Sequence, residues 1–263
     1  MNKINAVVFD WAGTTVDFGS FAPVDAFTIA FEAYGVTPTI EEIRAPMGLP
    51  KRKHIERMLE GRRLAELWRV KHGAPPVQED VDGIYARFEP ALFGVIEKHA
   101  EPLPDVPRIV RELRAMGIAI GSTTGYNKAM MDTVAPLAKS AGYEPDVLVC
   151  PDDVGGVGRP YPYMLWRNLE KLGVQSIGEA LKVGDTAVDI WEGKNAGCLS
   201  VGIVKGSSML GLNASEYETA KTAELPWLSH GAERGYKDVG ADHVIADITE
   251  LPDLIRRICG GLL

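Results

Sequence analysis

The sequence predicts an α/β protein: a doubly wound, mostly parallel sheet core with an inserted helical cap domain. Two observations carry this. From about residue 100, short apolar runs alternate with helical stretches, the rhythm of strand, crossover helix and parallel strand. Before that, one strand-like run occurs (INAVVF, 4–9), and residues 19–99 read as helix throughout. The implied division is a core of residues 1–18 and 100–263 and a cap of residues 19–99.

The run at 4–9 is nearly continuous Val and Ile, as in a strand covered on both faces. Val24, Phe27, Phe31 and Tyr34 follow at helical spacing, with Gly35 as the stop. Thr39 and Glu42 match a capping box opening a further helix with Ile40, Ile43 and Met47 apolar. Leu64, Leu67 and Trp68 mark a helix over 62–72, which Pro75 and Pro76 end. Val81, Ile84, Tyr85, Phe88, Leu92, Val95 and Ile96 mark a long one, kinked at Pro90. Helices at 106–116, 127–141, 161–172 and 188–196 then alternate with strands at 118–122, 146–150, 181–185 and 199–204. Residues 205–240 read as loop-rich, 243–247 as a short strand and 251–263 as a terminal helix packing Leu254, Ile255 and Ile258.

The 263 residues carry a formal net charge of −8. No basic surplus exists to neutralise a phosphate backbone, which argues against nucleic-acid binding. An anionic small molecule needs only a few local cations and stays open. No apolar run approaches the roughly 20 residues that span a bilayer, and no secretory signal is apparent. The three cysteines (Cys150, Cys198, Cys259) lack metal-ligand spacing and read as reduced thiols. A cytoplasmic protein with no membrane partner is expected.

Three strands end in polar residues. Asp10 follows the first, Thr123 and Thr124 follow the second, and Asp185 ends LKVG with Asp189 four residues on. Each alone reads as a cap or turn residue. On neighbouring strands they converge on one rim, where crowded carboxylates repel unless a hard cation such as Mg²⁺ lies between them.

FDxxGTxxD at 9–17, a strand ending in TTG, the isolated Arg159 and GDTAxD at 184–189 together resemble the haloacid dehalogenase superfamily. The match spans the whole core in order. It implies that Asp10 is a nucleophile forming an aspartyl-phosphate. Thr124, with Thr123 as the weaker candidate, and Arg159 would bind the phosphoryl oxygens. Asp185 would hold Mg²⁺ with Asp10, and Asp189 would support it directly or through water.

Ala12 departs from that pattern, because most phosphatases of the superfamily carry an acid there to protonate the leaving oxygen. Its side chain transfers no proton, although its carbonyl remains a metal ligand. A carbon leaving group would need no such acid if a protonated imine beta to phosphorus took up the electrons. The cap offers Met47-Gly48-Leu49-Pro50-Lys51-Arg52-Lys53-His54. Pro50 suits the first position of a helix. In that helix's first turn the dipole, Arg52 and Lys53 would all depress the Lys51 pKa. His54 lies three residues on, on the same face, for proton shuttling. From these residues alone a solvated helix face is the favoured reading.

DWAGTTVD, MGLPK at 47–51, GSTTGY at 121–126, PDDV with GRPYP at 151–162 and VGDTAVD at 183–189 are similar to the phosphonatase branch of the superfamily. That resemblance covers cap and core. It implies hydrolysis of the P–C bond of a small phosphonate aldehyde, phosphonoacetaldehyde, with Lys51 as the Schiff-base lysine (Lys53 the fallback), and a homodimer formed through the cap. Tyr126, His54 and Met47 are its pocket-lining candidates, Met47 being equally a packing residue. Two other readings compete. An ester phosphatase of the same superfamily keeps Asp10, Arg159 and Asp185 but assigns Lys51 to the surface or to binding substrate charge. A regulatory protein on a borrowed fold is favoured by Ala12 alone.

Overall fold

A computed structural model describes residues 3–220 and 224–261. Its sheet has six parallel strands in the order β3-β2-β1-β4-β5-β6. These are β1 (Ala6–Phe9), β2 (Ala119–Thr123), β3 (Val147–Val149), β4 (Ala180–Gly184), β5 (Leu199–Ile203) and β6 (His243–Ile245). β1 lies at the switch point, hydrogen-bonded to β2 on one side and β4 on the other. Its side chains alternate between two cores. Val7 and Phe9 pack with Val106, Ile109 and Leu113 of α6 (Val106–Ala115) and Leu254 and Ile255 of α12 (Leu251–Gly260). Ala6 and Val8 pack with Leu165 and Leu169 of α8 (Tyr163–Leu172). The crossovers are completed by α7 (Lys128–Ser140) and α9 (Ala187–Ala196).

Five helices leave the chain between β1 and α6: α1 (Phe21–Glu32), α2 (Ile40–Arg44), α3 (Lys51–Glu60), α4 (Arg62–His72) and α5 (Gln78–Phe93). Phe27 of α1 stacks on Phe88 of α5 with ring centroids 4.3 Å apart, and Ile55 of α3 is buried in the same cluster. Thr39 and Glu42 form the expected capping box, and α5 runs through Pro90 into its last turn. The two chain crossings into this layer are tied together. Asp17 adopts positive φ and accepts the amides of Phe21 and Ala22, each at 3.0 Å. His99 on the returning segment stands 2.8 Å from the same carboxylate. The Leu103 amide donates to the Thr15 carbonyl at 2.8 Å.

The segment 205–240 corrects the sequence reading. It carries two helices, α10 (Ala214–Ala220) and α11 (Leu225–Asp238), where loops were expected. Their apolar positions are sparse, so the periodic signal is weak; α11 buries only Ala232 and Tyr236. Tyr236 nevertheless lies flat against Gly202 of β5, where a Cβ would meet its ring at 2.5 Å. Its hydroxyl reaches the carbonyl oxygens of Asp185 and Ile203 at 2.8 Å each. The terminal helix ends at Gly260, and the last two residues of its expected span lie outside the described residues. Among the described residues no helix is long and apolar enough to cross a membrane.

Candidate active site

Register decides what meets at the rim. Phe9 is level with Ser122 of β2 and Val183 of β4. Asp10 therefore emerges beside Thr123 and Gly184, with Thr124 and Asp185 one residue beyond. Asp10, Asp185 and Asp189 are buried, and each has a carboxylate oxygen within 4.8 Å of the others. One Asp185 oxygen accepts the Ser208 amide at 2.7 Å, while Oδ1 has no hydrogen-bond partner. Burial, then Asp10 and Asp189, push the Asp185 carboxyl well above the usual carboxylate range. Gly13 has φ +85°, and a Cβ there would collide with Asp185, so only glycine lets the loop pass so close.

Arg159 is buried and bridges two of these acids, Nη2 to Asp10 and Nη1 to Asp189. Burial alone would depress its charge, but Asp10, Asp189 and Glu192 outweigh that and raise its pKa. Asp189 is held below its ordinary range against the opposing effect of burial by Arg159 and Lys182. Its Oδ1 faces both cations and its Oδ2 accepts from Thr186. Asp189 thus braces the site, with both oxygens engaged.

A divalent hard cation fits these residues. The donors are carboxylate oxygens, and Asp185 Oδ1 is unpartnered.

Lys51 opens α3 with Pro50 as its N-cap, one residue later than expected, and is 6% exposed. Its Nζ lies 5.0 Å from the Tyr126 ring centroid and 5.8 Å from that of Phe27. The amine pKa is lowered to about 8, chiefly by burial and further by Arg159, with Asp10, Asp17 and Asp185 opposing. The sequence argument had the direction but not the cause: Arg52 and Lys53 point to solvent, paired with Asp82 and Glu56.

One small cavity of about 20 Å³ brings together Asp10, Ala12, Met47, Lys51, Thr124, Tyr126 and Arg159. Ser20, Gly48, Gly125 and Thr186 also line it; the last three fall inside the quoted motifs but were given no pocket role, and Ser20 was passed over. Ser20 sits in a left-handed conformation directly after Gly19 (φ +82°), a turn just past β1 that could have flagged it. A groove of about 860 Å³ adjoins the cavity, sharing Lys51, Gly125 and Arg159 and adding Tyr85, Asn127 and Asp152.

Two expected residues point elsewhere. Thr123 turns away from the rim and donates to Glu192 at 2.8 Å, because successive side chains of a strand face opposite ways. His54 is buried behind Lys51, its ring 4.1 Å from that of Phe27. The Ile43 carbonyl, 2.7 Å from Nε2, can only accept, so Nε2 carries the proton and Nδ1 is left an unpaired acceptor. Burial and then Lys51 hold His54 well below its ordinary pKa, so it is neutral at pH 7.

Residues 4–197 match the family model described as haloacid dehalogenase-like hydrolase. The chain is 45% identical over 256 residues to a phosphonoacetaldehyde hydrolase of Bacillus cytotoxicus, covering 97% of both chains. It is 46% identical to a bifunctional phosphonoacetaldehyde hydrolase/aminoethylphosphonate transaminase of Clostridioides difficile, spanning 40% of that longer protein. A crystal structure of a phosphonoacetaldehyde hydrolase-like protein from Oleispira antarctica superposes with a TM-score of 0.93 at 34% identity, over 98% of this chain and 95% of that one. With sheet order, rim and relatives in agreement, the chain is a hydrolase belonging to the phosphonoacetaldehyde hydrolase family of the haloacid dehalogenase-like hydrolases.

Proposed function

We propose that this hydrolase cleaves the P–C bond of phosphonoacetaldehyde, giving acetaldehyde and phosphate through a Lys51 Schiff base and an Asp10 aspartyl-phosphate. The observation that carries the reading is the buried Lys51 amine, lowered to about 8 and lining one cavity with Asp10, while Ala12 stands where an acid would serve an oxygen leaving group. Residues 19–99 act as the cap that brings Lys51 to the core.

The steps balance. The Lys51 amine condenses with the aldehyde, releasing one water and forming a protonated imine. An Asp10 oxygen forms a bond to phosphorus as the P–C bond breaks, and that electron pair moves into the imine to give an enamine. Protonation at carbon and hydrolysis return acetaldehyde and free Lys51, consuming one water. A second water releases phosphate from Asp10. Thr124 and Arg159 bind the phosphoryl oxygens, so Arg159 exchanges its contact with Asp10 for the incoming phosphonate. Tyr126 and Met47 wall the two-carbon portion.

Asp10, Asp185 and the Ala12 carbonyl would hold Mg²⁺, with Asp189 behind them. When bound, the ion supplies the charge neutralisation that lets a carboxylate approach an anionic phosphoryl group. The three cysteines are unpaired, as suits a reducing cytoplasm. Homodimerisation is assigned to the outer face of α1, where Ile29 is 51% exposed while Val24, Phe27 and Phe31 are buried within the layer; light scattering tests it.

The chemistry is tested by borohydride reduction during incubation with phosphonoacetaldehyde and Mg²⁺, followed by mass spectrometry of the wild type and Lys51→Ala. A reduced two-carbon adduct on Lys51, absent from the variant, is expected. Phosphate release from phosphonoacetaldehyde with no adduct would overturn the Schiff-base route, and no release beside activity on a phosphate monoester would make the protein an ester phosphatase.

A further inference from the structure

A second buried charge cluster lies behind the phosphoryl-binding side chains, and the steps above make no use of it. Lys182 in the middle of β4 and Glu192 on α9 are both fully buried. The other positions of β4 are Ala, Leu, Val and Gly, and placing an ammonium among them is costly unless it is paired. Lys182 Nζ stands 2.8 Å from Asp189 Oδ1 and 3.4 Å from Glu192 Oε2. That Glu192 oxygen also accepts from Thr123 Oγ1 at 2.8 Å. It lies 3.8 Å from Arg159 Nε, which has no hydrogen-bond partner. Gly193 lets α9 press onto the sheet at this point, since a Cβ there would approach the Cβ atoms of Lys182 and Ser200 at 3.0 and 3.1 Å. One carboxylate oxygen therefore faces the end of β2, the middle of β4 and the loop that delivers Arg159.

We propose that Glu192, steadied by Lys182, is a positioning residue for phosphoryl binding: it holds the Arg159 guanidinium from behind and, through Thr123, fixes the strand end from which Thr124 meets the phosphoryl group. The inference rests on the reading of Asp10 and Arg159 as the phosphoryl site. Glutamine at 192 preserves the shape but removes the charge that opposes Arg159 Nε and Lys182. The guanidinium and the end of β2 then lose their shared anchor while the atoms that touch substrate stay in place.

Calorimetric titration of the Mg²⁺-loaded protein with inorganic phosphate reads this directly. Glu192→Gln is expected to raise the phosphate Kd by about tenfold or more, the usual scale for groups that orient ligands from behind. Trapping of acetaldehyde on Lys51 by cyanoborohydride, which involves no phosphoryl group, is expected at the wild-type rate. A phosphate Kd within about twofold of wild type in folded Glu192→Gln overturns the proposal. Should that variant fail to fold, Thr123→Val breaks the same link from the other side, and an unchanged Kd there overturns it equally. If the wild type binds no phosphate with Mg²⁺ present, the reading of the phosphoryl site falls and this inference falls with it. Weaker phosphate binding in the variant, beside a wild type that forms no Lys51 adduct, supports the positioning role and removes the Schiff-base reading alone.

Discussion

The Lys51 amine sets a measurable pH dependence. With a pKa lowered to about 8, about one molecule in ten carries the free amine at pH 7, against roughly one in 3,000 at an ordinary lysine value. The gain is about 300-fold, and burial beside Phe27 and Tyr126 is its main source. Initial rates of cyanoborohydride trapping, read by mass spectrometry from pH 6 to 9, should rise nearly tenfold per unit and level off near pH 8. Lys53, whose side chain is 44% exposed, serves as the reference peptide in the same digest. Asp10→Asn removes the strongest influence opposing the shift, so its profile should level off at lower pH. A Lys51 profile that parallels Lys53, or one that moves to higher pH in Asp10→Asn, would refute the argument that burial activates this amine.

The same shift has a stability counterpart. Between about pH 8 and 10.4 the unfolded chain binds a proton at Lys51 that the folded chain does not, so this group's contribution improves as pH rises through that window and its full penalty is present below it. Lys51→Met should therefore be more stable than wild type at pH 7 by up to about 3 kcal/mol, with the advantage fading by pH 10, as urea unfolding would read. Asp185 is an acid whose folded pKa is raised, so its ionised form opposes folding above the ordinary carboxylate range. Metal-free Asp185→Asn should melt higher than metal-free wild type at pH 7, and should lose the rise in Tm that Mg²⁺ gives the wild type. A Cβ at Gly125 would lie 2.8 Å from the Leu49 carbonyl oxygen and 2.9 Å from that of Gly48. Gly125→Ala should lower kcat/KM on the phosphonate by about 100-fold, the scale of a misplacement of about 1 Å, while secondary structure by circular dichroism is unchanged.

Much of the core was legible because its signals are local. The continuous Val and Ile of β1 and the polar residues after Phe9, Thr123 and Gly184 each mark a strand end, and parallel register does the rest. What escaped depends on partners distant in sequence. The helices α10 and α11 bury too few apolar residues to show a period. The activation of Lys51 was ascribed to its neighbours in sequence, whereas the walls that dehydrate it come from α1 and from the loop after β2. Thr123 and Thr124 look alike in sequence, and the pleat sends one to Glu192 and the other to the cavity. Lys182 was the readable warning that went unread: a cation inside an apolar strand announces a buried partner.

The contact between Gly125 and the Gly48–Leu49 backbone bears on how such a site could drift. The groups proposed to handle phosphorus come from the sheet rim and the loop carrying Arg159, and the amine proposed to handle carbon comes from the start of one helix. At Gly125 the two halves meet main chain to main chain, with no side chain between them, so the spacing there is set by backbone. Lengthening either loop by one residue would keep every reactive atom and still separate nucleophile from electron sink, leaving an idle lysine beside a nucleophile that has neither sink nor acid for its leaving group. On the proposed reaction, this spacing between backbones contributes to selectivity for a two-carbon aldehyde, where a comparison of catalytic side chains would not find it.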